Sequence, residues 1–465
     1  MLCLAFHPTL PLLAIGTGDY DGGYLFEGEL LLLDLDSGRC VSALTYAREV
    51  RGLRWVDRCS LEVVVAPTDD YKDDEACRAG HTAVVVRDDW ASVPDRSIEA
   101  TELAGPRALF ARPDERPEAR KAVLDLSAGA GSVWSPRRQV WDVESLPDGR
   151  CLAVLDGVAL ECWGDGGNPL WALPDPEGGR QLHLCPDRNA AWVHVARRPR
   201  RGPSGWEERP SEVTRISLAD GSTLGRVEVG YPVALTGCAD GRFALRDTRH
   251  GRRASEPLRM FSAAGAETAA VEIGGYDVFN HYFNVRRSPE LIVLQGDRQK
   301  PHMDKHVVAV REDQVNRLFA LAWEARRHVF GDPAVWISDA VGQAVVHSGR
   351  IHDGAGLLRG NAAIVRRSFP DGAVRWTFTA DHQTTALDTD GTTVFAAYNS
   401  GELVALDAAT GDVRWRTYLD IDGHSVEPLS LCVTEGNRML IGTTDGRIMD
   451  CSYSSEGAGR PGPSK

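Results

Sequence analysis

The chain contains few lysines and no hydrophobic segment of membrane-spanning length. Lysine and arginine together number 52, but lysine occupies only positions 72, 121, 300, 305 and 465. This dominance of arginine is typical of a GC-rich genome and predicts a bacterial protein. No apolar run approaches the ~18–20 residues that cross a bilayer, and the N-terminal MLCLAFHPTLPLLAIG lacks the basic segment and cleavage site of a signal peptide. We therefore expect a cytoplasmic protein.

The local signatures of catalysis are also missing. The ten cysteines form no C-x-x-C pair, and most lie in apolar strand-like segments, such as Cys151 in RCLAVL and Cys162 in ALECW. We expect them to be reduced and buried. No H-E-x-x-H, Walker A or G-x-S-x-G motif occurs. The sequence predicts a protein that is not an enzyme, while an active site assembled from several distant segments stays an alternative because it would leave no local motif.

Two segments contain part of a metal-site pattern. His302 and His306 stand at i and i+4, a spacing that suits a metal only on a helix, and they belong to a predicted loop that enters a strand. Asp19 begins D-Y-D-G-G like a calcium loop, but Gly23 and Leu30 stand where oxygen ligands belong. We predict neither a metal site nor a cofactor.

The net charge of −14 repels nucleic acid and anionic membranes unless a local patch overrides it. Apolar residues make up 43% of the chain, which is enough for a packed core. The composition therefore favours a globular protein with protein partners, and it makes nucleic acid an improbable ligand.

A repeated pair of strands organises the chain. In GELVALDAATGDVRWRTYLD an alternating apolar strand leads through a turn into a second strand, and Gly411 lies four residues before Trp415. The copy NAAIVRRSFPDGAVRWTFTAD lies 39 residues upstream and places Gly372 four residues before Trp376. Self-similarity at this period, with two strands and a glycine turn in each copy, indicates a propeller blade.

A looser copy, LECWGDGGNPLWALP, repeats the same interval between Gly167 and Trp171. Short alternating strands bounded by Asp-Gly or Pro-Asp turns extend the pattern over most of the chain. They predict eight full units and a three-stranded ninth that starts at Pro428: 2–46, 50–104, 140–174, 180–230, 231–275, 276–325, 328–380 and 382–420. The predicted fold is a single all-β propeller of about eight four-stranded blades, with seven to nine as the range.

The predicted propeller covers residues 1–453, followed by a disordered tail at 454–465. Residues 105–139 are rich in proline, arginine and glycine and are predicted to form a surface insertion between the second and third blades. The helix-like composition of residues 312–327 also fits an outer strand, which is the favoured interpretation. Asp-Gly and related dipeptides recur where first and second strands should join, because a two-residue hairpin needs positive φ.

Two families of propellers share these patterns. LAFHP, LLAIGTG and LLLLDLDSG resemble a WD40-type blade in which Leu33-Asp34 replaces the Trp-Asp dipeptide, and ALDAATGDVRW resembles the tryptophan-docking repeat of quinoprotein (PQQ-type) propellers. The second resemblance implies that Trp171, Trp376 and Trp415 are structural residues that pack between neighbouring blades. The adjacent cysteine pair and the export signal of the PQQ-dependent dehydrogenases are missing, so no quinone cofactor is expected.

Long connections between second and third strands are the predicted recognition surface, because a rigid repeat scaffold carries its binding loops on one rim. Their charges are segregated between two groups of loops. The acidic group contains Asp19, Asp21, Asp69, Asp70, Asp73, Asp74 and Glu75. The basic group contains Arg197, Arg198, Arg200, Arg201, Trp206, Arg249, Arg252 and Arg253. Such complementary fields orient a charged protein partner, although solvated loops without a partner would show the same composition.

The sequence therefore predicts a non-catalytic scaffold or sensor subunit that binds proteins through these loops. Bacterial propellers of this kind resemble components of multi-gene conflict or defence systems, which implies a partner within such a system. An enzyme of hydrolase or lyase type with its site in the central channel is one alternative, and a nucleic-acid-binding accessory subunit is another. The enzyme alternative predicts Asp, His or Glu side chains that converge in the channel with perturbed pKa values.

Overall fold

The chain is built almost entirely of β-strands and turns. Within the described residues, helical structure is confined to a 3-10 segment, Ala100–Leu103. Besides two-stranded hairpins, nine largely antiparallel sheets follow one another along these residues, and six of them have four strands, so the predicted multi-blade, all-β propeller fold is confirmed. The computed structural model describes residues 3–20, 26–45, 48–67, 79–109, 139–165, 167–197, 200–202, 205–249, 256–275, 284–296, 305–312, 314–321, 328–352, 357–421 and 424–453.

The chain divides into two compact units, residues 1–135 with 353–356, and residues 136–352 with 357–465. The predicted single propeller over residues 1–453 stays a prediction. Residues 110–138, which are most of the predicted insertion, and the predicted tail at 454–465 lie outside the described residues.

The first unit contains two four-stranded sheets and a small hairpin, β3 (Asp19–Tyr20) with β4 (Phe26–Glu27). Sheet 1 consists of β1 (Cys3–Phe6), β2 (Leu12–Gly16), β5 (Leu30–Asp34) and β6 (Cys40–Ser42). Sheet 2 consists of β7 (Val50–Trp55), β8 (Ser60–Val65), β9 (Ala79–Val86) and β10 (Arg107–Leu109). Alternate residues of β2, beginning with Leu12, are buried in the core of this unit, as a half-buried strand requires.

The fourth strand of sheet 2 differs from the predicted one. The segment ATELA was predicted to be this strand, but Ala100–Leu103 forms the 3-10 turn and β10 takes the outer position. A reciprocal capping box explains the turn, because the Glu99 and Glu102 side chains each accept a hydrogen bond from the other residue's backbone. The outer strand of this blade therefore begins inside the predicted insertion at 105–139.

The second unit begins with three complete four-stranded sheets. Sheet 3 consists of β11 (Val140–Ser145), β12 (Cys151–Leu155), β13 (Val158–Trp163) and β14 (Pro169–Pro174). Sheet 4 consists of β15 (Gln181–Leu184), β16 (Ala190–Val195), β19 (Glu212–Ser217) and β20 (Thr223–Val227), with the hairpin β17 (Arg200–Gly202) and β18 (Gly205–Glu207) between its second and third strands. Sheet 5 consists of β21 (Val233–Gly237), β22 (Phe243–Asp247), β23 (Leu258–Phe261) and β24 (Glu267–Val271).

A strand that precedes sheet 6 in the chain belongs to sheet 7. Sheet 6 has only β26 (Leu291–Gln295), β27 (His306–Arg311) and β28 (Gln314–Ala320), and the strand predicted within residues 312–327 is thereby confirmed at β28. The short strand β25 (Val285–Arg286) precedes sheet 6 but pairs in parallel with the first strand of sheet 7. Sheet 7 therefore contains β25, β29 (His328–Asp339), β30 (Gly342–His352), β31 (Leu357–Ser368) and β32 (Val374–Ala380).

Sheets 8 and 9 are the last two sheets of the second unit. Sheet 8 consists of β33 (Thr384–Thr389), β34 (Thr393–Tyr398), β35 (Glu402–Asp407) and β36 (Val413–Tyr418). After a hairpin of β37 (Asp420–Ile421) and β38 (His424–Ser425), sheet 9 consists of β39 (Pro428–Thr434), β40 (Arg438–Thr443) and β41 (Ile448–Ser452). Both β39 and β40 contact β11, the first strand of sheet 3. The seven sheets of the second unit thus close on one another as a propeller.

The turns between first and second strands have the predicted backbone geometry. Positive φ angles occur at Gly149 (83°), Arg188 (50°), Gly241 (86°), Gly391 (92°) and Asn437 (59°). In four of these turns the preceding aspartate accepts a backbone N–H two residues further on, which fixes the hairpin. These turns are short, so one end of each sheet carries little besides its hairpins.

Candidate functional site

Two carboxylates project from the innermost strand of sheet 3. Asp142 and Glu144 alternate with buried Val143 on β11, so they share one face of the strand. The Asp142 Oδ2 atom accepts the Leu182 backbone N–H at 3.2 Å. Charged side chains on an inner strand of the ring are expensive to bury unless they are paired.

Two consecutive arginines pair with these inner-strand carboxylates. Arg286 Nη1 lies 3.1 Å from Asp142 Oδ1, and Arg286 Nη2 donates to Glu144 Oε1. Arg287 Nη2 donates to Asp388 Oδ2 at 2.8 Å and to the Val433 carbonyl at 2.7 Å. We call Asp142, Glu144, Arg286, Arg287, Asp388 and Cys432 the inner-strand cluster. It joins four sheets of the ring that are as distant in sequence as β11 and β39.

The cluster depends on an unusual backbone position. Arg287 directly follows β25 and has a φ of 61°, in the left-handed region that costs a non-glycine residue about 1 kcal/mol. Asp388, its partner, is fully buried and also accepts the Val433 N–H at 2.7 Å. The displaced strand β25 therefore brings both arginines to the inner strands, and the ion pairs offset the strain.

The titration of the cluster follows from its burial and its charges. Burial raises the pKa of Asp142 to about 6; the Arg286 charge opposes this rise and the Glu144 charge adds to it. Burial also raises the pKa of the Cys432 thiol well above its ordinary value, so this residue is a protonated neighbour of Glu144, with Sγ 3.5 Å from Oε2. Within the cluster, three carboxylates face two guanidinium groups.

The cluster is suited to two kinds of chemistry. As an ion-pair network it fixes sheets 3, 7, 8 and 9 relative to one another. As a carboxylate pair with one raised pKa it has the groups of a general acid and base. Among the residues that the structure describes, no three His, Cys, Asp or Glu side chains converge to hold a metal ion.

Two of the three tryptophans predicted to be structural, Trp171 and Trp376, pack against glycines of the following sheet. A Cβ atom on Gly411 would lie 2.7 Å from Cδ2 of Trp376, and Trp376 Nε1 donates to the Ala408 carbonyl at 2.9 Å. Trp171 packs in the same way on Gly221, with 2.9 Å to Cε3. These contacts are the docking arrangement that the PQQ-type resemblance implies.

The other docking positions vary this arrangement. Phe319 of β28 takes the place of the tryptophan against Gly372. A Cβ atom on Gly372 would lie 2.6 Å from the Cβ atom of Phe319. Trp415 is half-buried and contacts the core between sheets 8 and 9. The Trp171 Nε1 atom is buried without a described partner. The Leu218 carbonyl of sheet 4 corresponds to the Ala408 carbonyl of sheet 8, which accepts the Trp376 hydrogen bond, but it accepts a hydrogen bond from Arg150 Nη1 instead.

Two of the arginines predicted to bind a partner are bonded within the chain. Arg197 donates to both carboxylate oxygens of Asp175, at 2.8 and 3.0 Å, and to Glu212 at 2.6 Å. Arg249 donates to Asp247 and stacks over Tyr231 at 4.5 Å from the ring centroid. Their positive charges are locally compensated, and their part in partner binding stays a prediction.

The rest of the predicted surface is described incompletely. Arg200, Arg201 and Trp206 lie in the hairpin of β17 and β18. Outside the described residues lie His302, the loop residues 21–25 and the remaining predicted partner-binding residues: Arg198, Arg252, Arg253, Asp69, Asp70, Asp73, Asp74 and Glu75.

A pocket of about 200 Å³ lies in the seam where the ring closes. Gly149, Trp163 and Gly167 line it from sheet 3, and Leu440 and Ile448 line it from sheet 9. Gly167 has a φ of 78° and lies in the turn of sheet 3 that corresponds to the Gly411 turn of sheet 8. A Cβ atom on Gly167 would meet no described atom within 4 Å. Among the described residues, no side chain fills the docking position at this seam.

Sequence reasoning missed the inner-strand cluster. The available signal was a pair of acidic residues at i and i+2 in the otherwise apolar strand VWDVES, together with the dipeptide Arg286-Arg287 before a strand. Neither pattern identifies its partner, because Asp142 and Arg286 are 144 residues apart. Only the closed ring brings them together.

Comparison with known proteins supports the propeller. Residues 359–455 match a family model described as outer membrane protein assembly factor BamB. No curated protein matches the chain. None of the helical structure within the described ranges has the length and hydrophobicity of a membrane-spanning helix. The match covers the end of sheet 7 together with sheets 8 and 9, and on this ground the chain is similar to PQQ-like β-propeller proteins.

Proposed function

We propose that this protein is a non-catalytic scaffold or sensor subunit that binds protein partners through the connections between second and third strands. One observation carries the proposal. The connections between second and third strands are long in sheets 4 and 5, and sheet 6 has a long connection between β26 and β27. In sheet 7 strands of 11 and 12 residues flank the connection, whereas sheets 8, 9 and 3 have short ones. Elaboration of four consecutive blades is expected of a continuous binding surface.

The rigid ring supports this role. The inner-strand cluster and the docked tryptophans hold the sheets in place before a partner arrives, so less conformational entropy is lost on binding. The matched family model is described as an assembly factor, which fits a binding role. A partner within a bacterial conflict or defence system, as the fold-level resemblance implies, is part of the proposal.

The test is a pull-down of native partners with the tagged full chain, quantified by mass spectrometry. The triple variant R198E/R200E/R201E should reduce partner recovery at least tenfold. The matched control R226E/R317E/R375E makes the same charge change at exposed positions on the outer strands of sheets 4, 6 and 7, and it should leave recovery unchanged. Equal recovery with both variants would contradict the proposal.

An active site at the inner strands is the second candidate function. Asp142 and Glu144, with the raised pKa of Asp142, favour it. The measurement is turnover of simple ester, phosphate and glycoside substrates by the wild-type chain and by Asp142→Asn. Turnover that the substitution abolishes would support the enzyme, and no turnover by the wild-type chain would count against it.

A further inference from the structure

The outer strand of sheet 9 has a free side among the described strands. β41 pairs with β40 through residues such as Tyr453, whose N–H donates to the Asn437 carbonyl at 2.9 Å. Because backbone groups alternate in an antiparallel pair, the N–H and C=O groups of Ile448 and Ser452 point away from β40. In sheets 3, 4, 5 and 8 the fourth strand pairs at this position.

The open pocket adjoins this free side. In three other seams an aromatic side chain from the outermost strand of one sheet fills the space over a turn glycine of the next, as Trp376 does over Gly411. The pocket beside β41 is lined by Gly167, which occupies the corresponding turn of sheet 3, and by Ile448. An aromatic residue on a strand added to β41 would reach this pocket.

The chain's own outer strands indicate the chemistry of a strand that would pair with β41. β32 and β36 both begin with Val-Arg-Trp, and the tryptophan is the residue that docks in β32. Asp165 and Asp450 also line the pocket, but Arg438 lines it too and already pairs with Asp450, so the basic residue of the pattern is taken from Val-Arg-Trp alone. The ligand that fits is thus an extended segment with the pattern apolar, basic, aromatic.

We propose that a partner protein completes sheet 9 by β-strand addition, pairing an extended segment with β41 and inserting an aromatic side chain into the pocket lined by Gly149, Gly167, Leu440 and Ile448. Main-chain hydrogen bonds to Ile448 and Ser452 supply affinity, and the aromatic residue supplies specificity. This surface lies on the sheets with short connections, so it is independent of the loop surface in the proposed function.

The probe is a fluorescein-labelled peptide with the sequence of residues 411–420, GDVRWRTYLD, titrated with the full chain by fluorescence anisotropy. Saturable binding is expected, and a peptide with alanine in place of its tryptophan should bind at least tenfold more weakly. Because this comparison changes only the peptide, it does not depend on the folding of any variant. Absence of saturable binding, or equal affinity for the two peptides, would overturn the proposal.

The strand edge is tested with Ser452→Pro, which removes the outward N–H without removing a bond to β40, and with Ser452→Ala as its control. The proline variant should lose at least tenfold in affinity and the alanine variant should bind as the wild-type chain does. Light scattering first establishes the oligomeric state, because a dimer that Ser452→Pro dissociates would mean that a second copy occupies the edge and would overturn the proposal. The R198E/R200E/R201E variant should bind the peptide normally, which separates this test from that of the loops.

Discussion

The seam between sheets 7 and 8 and the closing seam between sheets 9 and 3 are built differently. At the first, Trp376 fills the space over Gly411 and Arg366 bridges Asp339 to the Ala408 carbonyl, so the outer part of the seam is closed by side chains. At the second, no side chain of the described part of the chain fills the corresponding space over Gly167.

The closing seam relies on polar bonds between inner strands instead. Ser430 Oγ on β39 donates to the Val140 carbonyl on β11 at 3.0 Å, and Cys432 Sγ on β39 lies within 3.5 Å of Glu144. Arg286 adds its ion pairs to Asp142 and Glu144 on the same strand. A ring can thus close without an interlocking outer strand when its inner strands are joined by buried polar contacts.

Removal of the docked tryptophan should have the largest effect. Trp376→Ala deletes a side chain that is only 8% exposed, together with its hydrogen bond to Ala408, and should lower the free energy of unfolding by about 3–5 kcal/mol. Trp415→Ala, at a half-buried position, should cost about half as much. Urea unfolding of both variants provides the measurement, and equal losses would show that docking on Gly411 adds nothing.

Removal of Arg286 tests the closing seam. Arg286→Met leaves the Asp142 and Glu144 carboxylates without their cation and should lower the free energy of unfolding by about 3 kcal/mol. Arg226→Met is the control, because this side chain is 55% exposed and should change stability by less than about 0.5 kcal/mol. A small loss for both variants in urea unfolding would mean that the inner-strand cluster does not hold the ring closed.

Two glycine substitutions compare the seams directly. Gly411 and Gly167 have φ angles of 79° and 78°, so an alanine at either position costs about 1 kcal/mol of backbone strain. Only the Gly411→Ala methyl group collides with a tryptophan, which should raise its total cost to about 2–3 kcal/mol. If thermal unfolding shows the same shift for Gly167→Ala and Gly411→Ala, the closing seam is not open.

A further prediction is a pH dependence that originates at Asp142. Its pKa is about 6 in the folded chain and about 3.8 in a model compound, so between these values the folded chain holds a proton that the unfolded chain has released. The contribution of Asp142 to the free energy of unfolding should therefore decrease as pH rises from about 4 to 6 and stay constant above. Urea unfolding of the wild-type chain and Asp142→Asn across this range measures the difference, and a constant difference would contradict the assignment.

Much of the fold could be predicted from local patterns. The positive φ of Gly391 follows from residues only a few positions apart, and the packing of Trp376 on Gly411 of the next sheet follows from the glycine-to-tryptophan interval that the repeats share. The pairing of β25 with sheet 7 could not be predicted from the sequence. It depends on β29, about 50 residues later, and not on any pattern within β25 itself. The fourth strand of sheet 2 was misplaced because a capping box and a strand pattern competed over the same few residues.

By itself, the sequence determined the repeating unit of this protein: the strand lengths, the hairpin turns, and the interval from glycine to tryptophan that spaces one blade from the next. These features arise from backbone sterics and side-chain period, which act between neighbours in the chain. The tertiary structure alone decided that Asp142, Glu144, Arg286 and Cys432 meet and that no side chain within the described ranges fills the space over Gly167. Closing the ring places the first and last sheets of the second unit side by side, and no local pattern encodes contacts between residues nearly 300 positions apart.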